Sequence, residues 1–416
     1  MNEHIFVYLD LDCEGIKVGE LWVHERYGRE SFSFEYDRNW LKSPKRFSLD
    51  PALQLVQGPF HATQDKPLFG AIDDSAPDRW GRTLMRRSER KNAEKEHRRA
   101  RTLREVDFLL MVDDEARQGA LRFKRNESGP YATTYENEHI PPLMSINKLL
   151  LASNRVFQDS DTEEDLKLLL APGSSLGGAR PKATIRDKDG QLAIAKFPKN
   201  DDEIDIIGWE AVALTLAKNA QIKVPDWRLE KVGRERVLIS RRFDRKGKTR
   251  IPFLSAMSAL MAVDGDLHSY LEITDTIRQL SAAPQADLHA LWRRLVFTIL
   301  ISNVDDHLRN HAFLYSGLAG WRLSPAYDLN PTPVDIRPRM LSTAIDFVDS
   351  TATVALALET APYYGLDYTQ ARQIIKEVGA SVAQWQEIAA AYQISKREIN
   401  RMASCFMHDD LKIALL

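Results

Sequence analysis

The stretch Ile301-Ser302-Asn303-Val304-Asp305-Asp306-His307-Leu308-Arg309-Asn310-His311 constrains the chain more than any other. It follows an apolar-periodic run, Leu291 to Leu300, and leads into Ala312-Phe313-Leu314-Tyr315, which reads as a strand. Two acids, a histidine and an amide on a helix-to-strand loop are not core material. Asp305 and Asn310 stand at the offset of the aspartate and asparagine in a protein-kinase catalytic loop. Asp306 would need an asparagine at position 311, where His311 stands. In a phosphotransferase built on this loop, Asp305 rather than its neighbour is the base, and Asp306 has no assigned part.

The segments before the loop fit such a reading in their order. Residues 5–24 alternate as two strands around Asp12-Cys13-Glu14-Gly15, and Ser31 to Tyr36 alternate again, so the chain opens as a small antiparallel sheet. Asp73 to Arg82, with its aspartates, Pro77, Trp80 and Gly81, reads as a helix start and cap. Arg79 to Arg104 then holds eleven Lys/Arg against three Glu. Such a run reads first as a solvated helical face, and second as a surface for DNA or an acidic partner. Residues 125–145, with Gly129-Pro130 and Pro141-Pro142, close a first domain, and helices are expected at Ser145–Ser153 and Thr162–Leu170.

A small-residue loop follows, Ser174-Ser175-Leu176-Gly177-Gly178-Ala179-Arg180-Pro181-Lys182, leading into a strand that turns at Asp187–Gly190 and returns as Leu192 to Lys196. In kinase-type folds a Gly-rich hairpin lets backbone N–H groups approach nucleotide phosphates, and a strand lysine brings them a point charge. Glu210, at the start of the next helix, is either an ion-pair partner for Lys196 or a surface glutamate. The exit of the strand Val237–Ser240, at Arg241-Arg242-Phe243, is where a two-lobed kinase would hold adenine. Helical patterns cover Pro252 to Tyr270 and Ala286 to Ile301. Beyond the loop a second hairpin, 311–315 with 321–325, delivers Asp328. Asp328 and Asn310 supply the hard oxygens that Mg2+ prefers. The remainder, Asp367 to Leu416, reads as helical and without chemistry.

Composition sets the outer bounds. A chain of 416 residues, 44% hydrophobic and 28% charged, calls for two or three domains of a soluble kind. No apolar run reaches the roughly 18 residues of a membrane span, so no membrane partner is expected. The N-terminus lacks the pattern of a signal peptide, and two cysteines, Cys13 and Cys405, exclude a disulfide scaffold and a cysteine zinc site. Both features fit a cytoplasmic location. A net charge of -2 means that any DNA contact has to be local.

Taken together, these segments resemble the HipA-like serine/threonine kinases, the toxins of bacterial type II toxin-antitoxin modules. The resemblance is carried by the N-terminal sheet, Ala76 to Gly81, Arg117 to Phe123, Ser175 to Lys182, Lys196, Arg242 to Arg245, Asp305 to Asn310, and Tyr327-Asp328. It implies an α+β, two-lobed protein-kinase-like fold. Its parts would be a β-rich N-terminal subdomain with the basic segment (1–145), a kinase N-lobe with the Gly-rich loop (146–245), and a mainly helical C-lobe with the catalytic loop (246–416).

The resemblance further implies ATP and Mg2+ as cofactors. ATP would lie against Ser175, Gly177, Gly178, Ala179, Lys182, Lys196, Arg241 and Phe243. Asn310 and Asp328 would hold metal, Asp305 would be the base, and His307 would sit beside the phosphoryl group. Ser175, with Ser174 beside it, matches a loop serine that is itself phosphorylated in some members. The acceptor would be a serine or threonine of a protein, aminoacyl-tRNA synthetases being known targets in the family. A helix-turn-helix antitoxin of the HipB type would be the partner, the pair binding operator DNA. Two other readings stay open: a small-molecule kinase of the aminoglycoside or choline type, and an inactive co-repressor.

Overall fold

The alternation from Ile5 to Val23 becomes a hairpin, Glu3–Leu11 paired antiparallel with Glu14–Arg26. Asp12 and Cys13 form its turn at φ 56° and 66°, the left-handed pair that a two-residue hairpin of native twist requires. The computed structural model describes residues 3–26, 29–63, 66–132, 140–173 and 178–416. The chain divides into two compact units, Met1–Asp201 with Glu230–Leu254, and Asp202–Leu229 with Ser255–Leu416.

In the first unit the hairpin is the centre of a five-stranded sheet, completed by Arg29–Tyr36 and Phe60–His61 on one side and Leu121–Lys124 on the other. The expected helix start is confirmed: Asp78 caps the helix Arg79–Lys95, its carboxylate accepting from Gly81 N at 2.8 Å. That helix and the helices Ile146–Phe157 and Glu163–Gly173 bury Trp80, Leu84, Leu149, Val156, Leu166 and Leu169. The same cluster takes in Ala183, Ile185, Ala193 and Ala195 from the strands Lys182–Arg186 and Leu192–Lys196. A third strand, Glu235–Arg241, pairs with Leu192–Lys196.

Several residues of the basic run pair with acids of their own unit. Arg87 reaches Asp159 and Asp161 at 2.5 and 2.6 Å, Arg82 reaches Glu105 at 2.6 Å, and Arg98 reaches Glu89 at 2.6 Å. The solvated-face reading holds for most of the run, since Arg79, Arg86, Arg90, Lys95, Arg98, Arg99 and Arg101 are exposed. A second charged group is buried deeper. Arg117 is wholly enclosed and donates to the carbonyls of Ser75, Leu109 and Val112. Asp244 accepts from Arg242, from Arg245 at 2.7 Å, and from Gly119 N at 2.8 Å. Asp114 accepts from Arg122 at 2.6 Å and Arg250 at 3.1 Å.

The second unit is built on the helix Pro284–Leu300, which starts with proline in its first turn and packs against Tyr270–Leu280, Val354–Thr360, Tyr368–Val382 and Asp409–Leu415. Trp292, Phe297, Tyr270 and Tyr364 are fully buried there. The helical pattern from Pro252 to Tyr270 is corrected. Helix covers only Ala256–Ala259, then Met261 and Gly265 take positive φ, and a new helix begins at Tyr270 behind a Ser269/Glu272 capping box. Apolar spacing in that stretch records burial, while Asp264-Gly265-Asp266 sets the turn.

Candidate active site

Where the helix Pro284–Leu300 ends, Ser302 takes φ 52° and turns the chain into the loop. A single 3-10 turn, Leu308–Asn310, and the strand Ala312–Tyr315 follow. The two adjacent aspartates have opposite fates. The Asp305 side chain is 63% exposed, and its Oδ1 accepts from Arg337 at 3.0 Å. Asp306 is 4% exposed, and its Oδ2 accepts from the hydroxyls of Tyr270 and Thr298 and from Nε2–H of His311. Its carbonyl accepts from Thr343 Oγ1 at 2.7 Å. Burial alone would raise this carboxyl. The charge and hydrogen bond of His311, with the Tyr270 hydroxyl, reverse that and hold it below the usual carboxylate range.

Asp306 is the residue that sequence reasoning left without a part. It fastens the loop to the helix Tyr270–Leu280, to the helix Pro284–Leu300, and to the start of the strand after His311. A signal was present, because Asp306 and His311 repeat the offset of Asp305 and Asn310.

Asn310 is buried, and its Nδ2 donates to the Asp305 carbonyl at 3.2 Å, fixing the backbone of the residue that carries the exposed acid. His307 donates its backbone N–H to the same carbonyl at 3.1 Å. Its ring Nδ1 is buried with no hydrogen-bond partner among the described residues. Asp328 takes φ 59°, a left-handed position that Asp tolerates better than most residues, and its Oδ1 accepts from Asn330 Nδ2. The Asn330 backbone N–H donates to Asn303 Oδ1 at 3.2 Å, which ties the Asp328 turn to the loop.

Among the described residues no group of three or more His, Cys, Asp or Glu is gathered as a metal cage. Mg2+ does not need one, since it is held by one or two protein oxygens together with water and substrate phosphates. With the Asn310 NH2 committed to the loop, its amide oxygen and the Asp328 carboxylate are a donor set that fits. A cavity of about 10 Å³ behind the loop, lined by Arg294, Thr298, Asp306, Asn310 and His311, is far too small for a nucleotide.

In the first unit Lys182 and Lys196 are direct cross-strand partners and so share one face of the hairpin. Lys182 is buried, with Nζ 3.5 Å from Asp78. A Cβ added at Gly178, whose φ is 100°, would stand 2.8 Å from that Nζ. The positive φ is what favours glycine there, since the lysine end can move aside. Ala179 is exposed, while Ser174, Ser175 and Gly177 lie outside the described residues. The Arg241 side chain pairs with Asp189, and Phe243 is half-buried. Glu210 is 4% exposed, so the surface-glutamate alternative falls.

Burial pushes the Asp78 carboxyl up to about 6, with the Lys182 charge and the Gly81 N–H pulling the other way. A carboxyl raised in the fold binds its proton more readily there than in the unfolded chain. Stability is therefore expected to fall as pH rises from about 4 to about 6. Asp78→Asn keeps the cap and removes the titration. Urea unfolding across this range should show the fall flattened in the variant, by up to about 3 kcal/mol.

Residues 174–385 match the family model described as HipA-like C-terminal domain, and residues 9–123 match the HipA N-terminal domain. The chain belongs to the HipA-like family. HipA of Shewanella oneidensis MR-1, solved in a toxin-antitoxin complex with HipB and operator DNA, superposes on this HipA-like chain with a TM-score of 0.67 at 16% identity. That match covers 99% of this chain and 96% of the other. The proinflammatory kinase CtkA of Helicobacter pylori gives a TM-score of 0.40 at 15% identity, over 58% of this chain and 92% of its own, a likeness too slight to build on. No curated protein sequence matches the chain. The fold is thus the α+β fold of the HipA proteins, the family that the sequence resembles. No helix among the described residues is long and apolar enough to cross a membrane.

Proposed function

We propose that this chain is an ATP- and Mg2+-dependent protein serine/threonine kinase acting as the toxin of a toxin-antitoxin module. The observation that carries the reading is the split between Asp305 and Asp306. One carboxylate is open to a substrate, while its neighbour is buried and spent on holding the loop. Asp305 accepts the proton of the acceptor hydroxyl as its oxygen bonds to the γ-phosphorus and the bond from that phosphorus to the β,γ-bridging oxygen breaks. ATP with its Mg2+ supplies the phosphoryl group and the charge neutralisation. Asn310 holds the Asp305 backbone and, with Asp328, is assigned to the metal. His307, with its unused Nδ1, is assigned to the phosphoryl oxygens. Lys182 and Lys196 stand opposite each other on one strand pair and can meet the same anion. Lys196 and Lys182 are accordingly assigned to the phosphates, with Gly178 and Ala179, and Arg241 and Phe243 to the adenine side.

The division into 1–145, 146–245 and 246–416 is proposed as the functional one. HipB and operator DNA accompany the Shewanella HipA, and an antitoxin of that type with operator DNA is proposed here, in the cytoplasm. Aminoacyl-tRNA synthetases are the first protein substrates to try, and Ser174 and Ser175 the first loop positions to map for self-modification.

The test is incubation of the chain with γ-labelled ATP, Mg2+ and a bacterial extract. Label should enter a macromolecule, and should drop by roughly a hundredfold or more with excess chelator or in Lys196→Ala. Label recovered only in small molecules would favour a metabolite kinase, and no ATP turnover would favour the co-repressor. Peptide mapping of the recovered chain reads Ser174 and Ser175 in the same sample.

A further inference from the structure

Residues 332–342 form an arch over the start of the catalytic loop. One foot is Thr332, whose N–H donates to the Ser302 carbonyl at 3.1 Å. The other is Ser342, whose N–H and Oγ both reach the Val304 carbonyl, at 2.9 and 3.0 Å. Between them the chain turns at Pro333, which accepts from the N–H groups of Ile336 and Arg337. Ser404 Oγ accepts from Val334 N, and Arg401 pairs with Asp335 at 3.3 Å, so the arch is held from its outer side as well. Arg339 is turned under it, onto Asp410 at 2.8 Å. Arg337 therefore stands on a fixed support, 56% exposed, with Nη1 3.0 Å from Asp305 Oδ1. Val334, Ile336 and Met340, at 50%, 49% and 46% exposure, flank it with apolar surface.

A hydroxyl that gives its proton to Asp305 has to come within about 3 Å of that carboxylate. The Arg337 guanidinium then lies about 6 Å from the acceptor oxygen, within reach of the side chain next to it in sequence. An arginine so placed presents a planar, permanently charged fork that fits a carboxylate. We propose that the arch is the platform for the acceptor segment of the protein substrate and that Arg337 selects an acidic residue adjacent to the phosphorylated serine or threonine. This rests on the kinase reading of the site and adds to it the class of acceptor. The apolar neighbours of Arg337 suit an extended polypeptide rather than a free metabolite. In the absence of substrate Arg337 pairs with the base itself, and an arriving carboxylate takes over the guanidinium and frees Asp305.

The proposal is tested by phosphorylating a proteome-derived peptide library and, in parallel, the intact extract, with the wild-type chain, Arg337→Lys and Arg337→Glu. Acidic residues beside the modified position should be enriched by wild type about five- to tenfold over basic ones, read as a higher kcat/KM. Arg337→Lys should keep part of the preference, and Arg337→Glu should invert it towards basic neighbours. A merely structural arginine would lower all rates together and leave the sequence preference where it was. Labelling without charge preference, a preference unmoved in Arg337→Glu, or label in the intact extract but in no peptide would each overturn the proposal. Absence of label from both peptides and extract would instead bring down the kinase reading.

Discussion

Replacing Asp305 by asparagine is expected to lower phosphoryl transfer by about 10²–10⁴-fold, the usual contribution of a positioned general base. The same change should leave the fold intact. The Asp305 side chain is 63% exposed and its ion-pair partner, Arg337, is 56% exposed. An ion pair so open to solvent contributes about 0–1 kcal/mol. The Asp305 carbonyl, which holds Asn310 and His307, is unchanged in the variant. Transfer of label from ATP and urea unfolding of one preparation check both halves of the expectation. Retained transfer would remove Asp305 from the chemistry, and a large loss of stability would place it in the framework instead.

Replacing the next residue should do the reverse. Asp306→Ala leaves the Tyr270 hydroxyl and the His311 ring buried without their acceptor, in a place that is 4% exposed in the native chain. Breaking a buried, hydrogen-bonded charged pair from one side costs about 3–5 kcal/mol, so the urea midpoint should fall far more than in Asp305→Asn. The acid limb of the stability curve should change too. The Asp306 carboxyl is held below its ordinary range, since His311 and Tyr270 override burial. Its contribution is present above the unfolded value of about 4 and is lost as pH falls through the lower folded value. The variant should be less stable than wild type at pH 7 and approach it in strong acid. A uniform gap at every pH would mean that packing rather than the carboxylate holds the loop.

The contrast between neighbours marks how far the sequence could be read. Offsets along the chain separated Asp305 from Asp306, and local pattern placed the hairpins, the Asp78 cap and the helix Pro284–Leu300. The use of Asp306 depends on Tyr270 and Thr298 as well as His311. Tyr270 lies in a stretch whose helix was expected too early, because the apolar rhythm of Pro252 to Tyr270 does not reveal that Met261 and Gly265 break it. The basic run likewise carried no local sign that Asp159, Asp161 and Glu163, many residues later, would meet Arg87 and Lys95. Charge counted along a chain says nothing of where its partners return in space.

The enclosed arginines of the first unit have a consequence for the order in which the chain is made. Asp10, Asp114 and Arg122 leave the ribosome early, but Arg250, which pairs with Asp114 across 136 positions, and Asp244, which accepts from Gly119 N across 125, follow much later. Until then Arg122 is the counterion of both early acids, but the carbonyls of Ala116 and Arg117 lack the guanidinium donors of Arg242 and Arg245, and the space that these later fill cannot close. A nascent chain halted before residue 242 would carry the strands of the first sheet but not the later arginines that enclose its base. Vectorial synthesis thus delivers the sheet long before it can be sealed, and the protein completes this unit only after the later hairpin has emerged.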